Sequence, residues 1–600
     1  MRSGKIGSII GAAAVCVSCL NPAAAQLTEY VWDSSKTGSQ LWQQSANWSP
    51  TGFPNGPLHT ANLSRPLAAG LDANIGAGVI VAGLKMGGTA GPVTTTVSTG
   101  AGGLLTFRND DMAPVQTANA DFDGDSFVSG ADLLIWQRGL GLTGQLNNNQ
   151  GDADADTVVD GDDLDVWKDQ FGQGTEAFSQ GSAFIDSSGV IGSINTISAG
   201  VHSDNEQIEI AGSRDLTISG NFSYNGDPNN AGISASALRV ISPGLTVTLA
   251  GSVVMNNSDA LEGVDFQFND SERNQGTLVI NGIMSGTGDI AIGSASNAAR
   301  LPLGTVVLNG ANTFTGSIRA GRGNLVLGHD NALGVDGATL AAYRQAGPAN
   351  QFGYNLISDD DDRVISNPMV IAQWQTVKGE HSLEWAGEIE QTNNRGLINL
   401  LPAGKELKLS GRVNIFEEAE SGVQRRFEIH GTGTTRMTGS IRDLPDDAME
   451  FPEDHRLVKR GTGALIVDVA AGDNNHVGDD VIYMGNWHYT DNDSLNVGGG
   501  QIQSYGGAIG VDAGVSNNTD FLSRIRTTSV GGLQLAPSDA GATLDFTSTL
   551  ANAANMTVAA PETGLSFTGT IIPAGGRYQL GGGTGTLTLP NAQLTGSNRL

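Results

Sequence analysis

Short runs in which apolar and small polar residues alternate recur along most of the chain, with glycine or asparagine between them. Examples are residues 216–220, 277–282, 407–411, 464–468 and 586–589. Alternation with a period of two predicts half-buried β-strands. Their recurrence from about residue 184 onward predicts a stacked β-solenoid, because no single rung can bury its apolar face alone. Compact sandwiches in tandem are the alternative, and the lack of long proline-rich linkers favours the solenoid.

A helical pattern interrupts the strand runs between residues 121 and 172. Two apolar stripes with i, i+3, i+7 spacing lie there at a constant offset of 31 residues, namely Leu133, Trp136 and Leu140, then Leu164, Trp167 and Phe171. This spacing predicts two short helices, at about residues 132–140 and 163–171, whose apolar faces pack together.

An aspartate-rich loop precedes each predicted helix, with Asp at loop positions 1, 3, 5 and 12. The two sets are Asp121, Asp123, Asp125 and Asp132, then Asp152, Asp154, Asp156 and Asp163. Calcium prefers about six to eight hard oxygen ligands in a flexible shell. The loops therefore predict two bound Ca²⁺ ions. A solvated acidic linker is the alternative, but such linkers lack periodic tryptophan and leucine.

Two further loop positions complete the predicted ligand sets. Position 7 offers a backbone carbonyl, from Phe127 in the first loop and Val158 in the second. Position 9 acts through water in many loops of this kind, and it is Ser129 and Asp160 here. The residue at position 12 is expected to close the shell with both carboxylate oxygens.

Residues 121–172 resemble a type I dockerin, a paired, EF-hand-like loop-helix module of cellulosome components. The resemblance rests on the Asp pattern, on Asp rather than Glu at position 12 and on valine at position 8. It implies calcium binding and docking to a cohesin-like partner. Position 6 is Ser126 and Thr157 instead of the family's usual glycine, and positions 10 and 11 lack the common Ser-Thr pair. The identity of the partner therefore does not carry over.

The strand runs resemble a second family. Residues 304–316, 324–328 and 331–334 are similar to the autotransporter-associated β-strand repeat of large exported bacterial proteins, and residues 459–467 look like a degenerate copy. This resemblance implies a right-handed parallel β-helix and no particular activity. The fold class expected is therefore mostly β, with a small helical calcium module inserted in the repeat array.

The N-terminus is typical of an export signal. Arg2 and Lys5 form a short basic region, an apolar stretch follows, and cleavage is predicted near Ala25-Gln26. The apolar stretch is too short to span a membrane, so no transmembrane segment is expected in the mature chain. We predict a secreted or cell-surface protein with four parts: a signal peptide at 1–25, an N-terminal β region at 26–112, the calcium module at 117–174 and the solenoid at 183–600.

Composition supports export without disulfides. Cys16 and Cys19 are the only cysteines and both lie in the predicted signal, where a lipid attachment site is the alternative. The chain has 84 glycines in 600 residues and a formal net charge of −30. Glycine suits tight turns between short strands. The acidic balance argues against a nucleic-acid partner and against anionic membrane surfaces.

No catalytic residue is assigned from the sequence. Glu384, Glu388 and Glu390 lie near His381, and a carboxylate pair on one strand face suits glycan cleavage. A charged strand edge is the favoured interpretation of these residues. His476, Trp487 and His488 lie in a polar stretch and most simply line an ordinary loop.

Two classes of function follow. In the first, the protein is a non-catalytic scaffold or adhesive component that docks through its calcium module to a cohesin-like partner. In the second, it is a glycan-binding protein or a glycoside hydrolase or polysaccharide lyase, which the module recruits to an extracellular assembly. The second class rests on the usual company of dockerins and implies a polysaccharide partner.

Overall fold

The computed structural model of the chain is mostly β, with 44% of residues in strands and 8% in helices. It describes residues 27–100, 103–109, 120–123, 128–145, 148–153, 158–170, 182–204, 207–225, 236–256, 266–268, 276–293, 304–335, 337–342, 352–358, 360–392, 394–415, 425–443, 455–591, 593–594 and 597–600. The predicted signal peptide at 1–25 lies outside these residues. The predicted domain boundaries stay predictions.

The strands pair almost entirely in parallel and form three long ladders. The first ladder holds Thr28–Trp32, Trp48–Ser49, Gly56–Asn62, Val79–Met86, Leu104–Phe107, Ala183–Ser187, Gly200–Asp204, Ile208–Ala211, Phe222–Asn225, Ser236–Val240, Val253–Asn256, Phe266–Phe268, Met284–Gly286, Ile290–Ile292, Ile318–Ala320, Leu340–Ala342, Met369–Ile371, Ile389–Gln391, Val413–Ile415, Ile441–Asp443 and Asn474–Asn475. Its one antiparallel pair joins Thr28–Trp32 to Trp48–Ser49.

The second ladder holds Gly38–Leu41, Leu71–Ile75, Thr94–Thr99, Ile194–Ile197, Leu216–Ile218, Thr246–Leu249, Thr277–Ile280, Thr305–Leu308, Asn324–Leu327, Phe352–Ser358, Trp374–Gly379, Gly396–Asn399, Arg425–Gly431, His455–Lys459 and Asp480–Ile482. The third ladder holds Arg363–Ile365, Leu383–Trp385, Glu406–Leu409, Thr434–Met437, Ala464–Val467, Asn486–Tyr489, Val530–Gln534 and Thr557–Ala559. The strand Ile502–Val511 pairs with both. Two separate pairs follow, of Thr543–Asp545 with Thr570–Ile572 and of Leu565–Ser566 with Leu587–Thr588.

In the second and third ladders, each coil of the chain supplies one strand, and the next coil supplies its parallel partner. In the first ladder some coils supply two strands, as with Gly200–Asp204 and Ile208–Ala211. In the second ladder, Val247 is the register partner of Leu278, Leu278 of Val306, and Val306 of Leu325. All four side chains are buried. Apolar columns of this kind run through one continuous core, since strands stacked in parallel bring equivalent positions over one another. The architecture is compatible with the predicted β-solenoid, and the predicted strand runs at 216–220, 277–282, 407–411 and 464–468 are confirmed as strands.

A column of glycines marks one corner of the coils. Gly220, Gly251, Gly282 and Gly310 each follow a strand of the second ladder. A Cβ atom added to Gly251 would collide with the backbone carbonyl of Gly220, and one added to Gly282 would collide with that of Gly251. Only glycine allows successive backbones to approach so closely.

Two α-helices in the described residues are those that the sequence predicts: α1 spans Gly130–Gly139 and α2 spans Gly161–Gln170. α1 begins before residue 132 because Ser129 is its N-cap and accepts the N–H of Ala131. A third helix, α3, spans Thr519–Arg524. Short 3-10 turns lie at Ser45–Asn47, Asn148–Gln150, Pro537–Asp539, Ala551–Ala553 and Ala574–Gly576. None of the helices in the described part of the chain is long and apolar enough to cross a membrane.

The chain between Phe107 and Ala183, which we call the helical segment, leaves the first ladder and returns to it at one place. The strands before and after it, Leu104–Phe107 and Ala183–Ser187, both pair with Val79–Met86. Beyond these strands, the Asn109 side-chain amide donates a 2.8 Å hydrogen bond to the Ser182 carbonyl. The helical segment has a small core of its own, separate from that of the ladders.

Candidate metal centre

Asp132, the residue at position 12 of the first loop, is fixed by backbone donors. Its Oδ1 accepts the N–H of Phe122 at 2.7 Å and of Asp123 at 3.2 Å, and its Oδ2 accepts the N–H of Ser129 at 2.8 Å. The carboxylate is fully buried in the first turn of α1. A carboxylate is stabilised there by the partial positive charge of the helix N-terminus. The loop is thus wrapped around its closing residue.

Three carboxylates converge in this loop. Asp121, Asp123 and Asp132 each place a ligand oxygen within 4.8 Å of the others. Asp121 and Asp132 are buried, whereas Asp123 is exposed. Carboxylates about 4 Å apart repel by roughly 4 kcal/mol at an effective dielectric constant near 20, and a divalent cation between them reverses the sign of that interaction. The donors are hard oxygens, which fit calcium.

The second loop repeats the same contacts. Asp163 Oδ1 accepts the N–H of Ala153 at 2.6 Å, and its Oδ2 accepts the N–H of Asp160 at 2.7 Å. Asp162 N–H donates to Asp160 Oδ1, as Ala131 N–H donates to Ser129 Oγ in the first loop. Asp152 and Asp163 are buried. The sequence repeat is therefore also a repeat of hydrogen bonds.

The remaining predicted ligands divide into two groups. Asp125, Phe127, Asp154 and Asp156 lie outside the described residues, so their part in the two shells stays a prediction. Ser129 caps α1, and Asp160 carries the equivalent bond in the second loop. Val158 forms an antiparallel bridge with Thr143, which follows α1.

Two tryptophan contacts across the module were not predicted from the sequence. Trp136 Nε1–H donates to the carbonyl of Asp160 at 2.7 Å, and Trp167 Nε1–H donates to the carbonyl of Ser129 at 3.0 Å. The predicted packing of the two stripes on each other is present in part. Trp136 is buried among Val128 and Val159, with Leu133, Leu164 and Trp167 packed against them. Leu140, however, is exposed, and Phe171 lies outside the described residues. The repeated tryptophan indicated a shared core, but periodicity alone says nothing about where an indole N–H points.

Two of the three glutamates considered for catalysis are engaged in ion pairs, and the third, Glu390, is half-buried in the strand Ile389–Gln391. Glu384 lies 3.1 Å from Lys408 Nζ, and Glu388 lies 2.7 Å from Arg412 Nη2. Burial raises the pKa of Glu384, but hydrogen bonds from Ser410 and Lys408 outweigh it, so this pKa is lowered overall. Glu384 is therefore held as a carboxylate and is unsuited to protonating a leaving group. The expectation of a charged strand edge is wrong, because the strand of Glu384, Leu383–Trp385, pairs in parallel on both sides, with Arg363–Ile365 and with Glu406–Leu409.

The expectation that His476, Trp487 and His488 line an ordinary loop is wrong, because Trp487 and His488 lie in the strand Asn486–Tyr489 and His476, directly after the strand Asn474–Asn475, is buried. His476 is fully buried, with Nδ1 3.0 Å from Asn474 Oδ1 and Nε2 3.1 Å from Asp480 Oδ1. Tyr489 Oη donates to the other Asp480 oxygen at 2.7 Å. Trp487 is buried as well. Such residues hold the interior of the coils together, because buried polar groups must be hydrogen-bonded.

Comparisons of the chain with protein-family models, with curated proteins and with solved structures found no match.

Proposed function

We propose that this chain is a secreted or cell-surface β-repeat protein that binds two calcium ions and acts as a non-catalytic scaffold or adhesive component. The ions would be held by the dockerin-like loops at 121–132 and 152–163. The observation that carries the proposal is the convergence of Asp121, Asp123 and Asp132. Asp132, which closes the first loop, accepts the N–H of Phe122, the second residue of that loop, just as Asp163 accepts that of Ala153 in the second loop.

The donor set favours calcium over softer metals. Neither loop contains a cysteine or a histidine, the residues that select zinc and copper. Residues 121–172 hold twelve aspartates against Arg138 and Lys168. This charge opposes compaction of a module with few buried side chains. Calcium binding and folding of the loops are therefore expected to be one event, because an ion that binds only the folded state stabilises it by mass action.

A docking face for a cohesin-like partner is expected on the outer sides of α1 and α2. Gln137, Arg138 and Lys168, which directly follow the two tryptophans in the sequence, are exposed. Leu134 in α1 and Leu140 directly after it are 51% and 55% exposed and add apolar area to this face. Aromatic and arginine anchors surrounded by apolar area are typical of binding sites. Capture of exported proteins on the full chain, with and without a chelator, tests this part; a structural calcium clip captures none in a calcium-dependent way.

Calorimetric titration of the chelator-stripped full chain with calcium is the deciding experiment. We expect two ions per chain, and none in the variant that carries both Asp121→Ala and Asp152→Ala. Magnesium is the matched control, because its smaller octahedral shell suits a flexible many-oxygen loop poorly. Absence of a calcium-dependent heat in the unmodified chain contradicts the proposal.

The enzymatic alternative has weaker support. The two glutamates described above are neutralised by Lys408 and Arg412, which suits a structural ladder. Release of reducing sugars from a panel of polysaccharides would nevertheless overturn the non-catalytic proposal. A variant that combines Glu384→Gln with Glu388→Gln should leave any such release unchanged, if these residues are structural.

A further inference from the structure

The ninth residue of each loop connects that loop to the opposite helix. In the first loop, the Ser129 N–H donates to Asp132 Oδ2, while the Ser129 carbonyl accepts the indole N–H of Trp167. The N–H of Ser129 therefore binds the closing carboxylate of its own loop. The carbonyl of Ser129 binds the helix that follows the second loop.

The second loop makes the reciprocal connection. The Asp160 N–H donates to Asp163 Oδ2, and the Asp160 carbonyl accepts the indole N–H of Trp136. Each tryptophan lies four residues after its own closing aspartate on the same helix, so both side chains share one helix face. Each closing carboxylate therefore binds the ninth residue of its own loop, and the tryptophan on the same helix binds the ninth residue of the other loop. These four hydrogen bonds connect the two loops in both directions.

The backbone adds a further link between the halves. The Val159 N–H donates to the carbonyl of Leu142, and the Gly141 N–H donates to the carbonyl of Val159. Gly141 and Leu142 follow directly after α1, and Val159 is the eighth residue of the second loop. These two backbone hydrogen bonds therefore link the ordering of the segment after α1 to the ordering of the second loop.

We infer that the two loops are energetically coupled and that Trp136 and Trp167 are the positioning residues that couple them. This inference rests on the proposed calcium binding. Fixing Asp132 on an ion fixes α1 and the Trp136 indole, and the indole then holds the carbonyl of Asp160 beside the second site. Part of the ordering entropy of the second site is then already lost before its ion binds, so its affinity rises. The reverse path runs through Trp167, and linkage requires the same factor in both directions.

The test is a set of calcium titrations of the full chain. Asp121→Ala disables the first site, and Asp152→Ala disables the second. We expect the remaining site of each variant to bind calcium about tenfold more weakly than in the intact chain, within the usual range of coupling between sites. In chains that carry Trp136→Phe and Trp167→Phe, which keep an apolar ring but lose the N–H donor, loss of one site should weaken the other by less than about twofold, because only the backbone link remains.

Control variants distinguish the coupling of the two loops from calcium binding itself. Trp374→Phe, in a strand of the second ladder, should keep the tenfold coupling. If the double tryptophan variant fails to fold, Trp167→Phe alone, at the more exposed indole, should reduce the coupling to about threefold because one of the two indole links remains. If the remaining site binds as tightly as in the intact chain, the loops are independent and only the coupling falls. If the intact chain binds no calcium, both the coupling and the proposed function are contradicted.

Discussion

The side-chain amide of Asn109 donates a 2.8 Å hydrogen bond to the carbonyl of Ser182, across 73 positions of sequence. The bond brings together the two ends of the segment that carries the aspartate-rich loops. The strands just outside it pair side by side with Val79–Met86. The ladders therefore run past the inserted segment without depending on it, which is the geometry that tolerates insertion of a guest module.

Replacement of residues 111–180 by a short glycine-serine linker should leave the ladders folded. The expected melting temperature of the remaining β core lies within about 3 °C of that of the full chain, because the two cores are separate and the closing bond is retained. Circular dichroism and differential scanning calorimetry provide the measurement. A loss of the strand signal would show that the inserted segment supports the ladders.

Gly251→Ala should destabilise the coils around it by about 2–3 kcal/mol, the usual effect of overpacking. The added methyl would meet the backbone carbonyl of Gly220, and backbone atoms cannot move aside as the end of a flexible side chain can. Gly91→Ala is the matched control, since a Cβ at Gly91 meets nothing within 4 Å. Equal stability of the two variants in urea unfolding would contradict the close stacking of the coils.

Asp132→Asn should abolish calcium binding at the first loop. The change removes one negative charge and replaces one of the two carboxylate oxygens by a donor group; Oδ1 now accepts the N–H groups of Phe122 and Asp123, and Oδ2 accepts that of Ser129. A buried donor that faces another donor costs about 1–3 kcal/mol, so the first loop loses structure as well as charge. Calorimetry should count one ion per chain instead of two.

The matched control is Asp162→Asn, whose side chain is exposed at the start of α2. We expect its calcium affinity to stay within about twofold of that of the unmodified chain, since only an exposed, screened charge is lost. If Asp132→Asn retains two ions, position 12 does not close the first shell.

The sequence predicted the elements better than their contacts. Alternation located the strand Leu216–Ile218, because a period of two is a local property. It did not reveal that Gly220 is needed for close approach to the coil before it, since stacking partners depend on turn lengths that vary between coils. The stripe that holds Trp136 predicted α1, but the hydrogen bond to Asp160 depends on the mutual orientation of two helices. The cap at Ser129 moved the start of α1, which a stripe of apolar residues does not define.

A buried lysine in the second ladder has a lowered pKa. Lys459 is 1% exposed, and burial lowers the pKa of its ammonium group to about 8 from the usual 10.5. Its Nζ donates to the carbonyls of Arg460 at 2.6 Å and Gly461 at 2.9 Å. These two bonds offset only part of the cost of removing a charge from water.

Lys459→Met should stabilise the folded chain at neutral pH by about 1–2 kcal/mol, because the cost of burying the ammonium group exceeds what its two hydrogen bonds return. Between about pH 8 and pH 10.5 the unfolded lysine holds a proton that the folded lysine has lost. The free energy of unfolding of the unmodified chain therefore gains a contribution that rises with pH across this window. The difference in stability between the variant and the unmodified chain should shrink from pH 8 to pH 10, as followed by melting temperature. Lys408→Met, at a half-exposed ion pair with Glu384, is the control and should show a small difference that does not vary across this window. A difference for Lys459→Met that stays constant from pH 7 to pH 10 would contradict the lowered pKa.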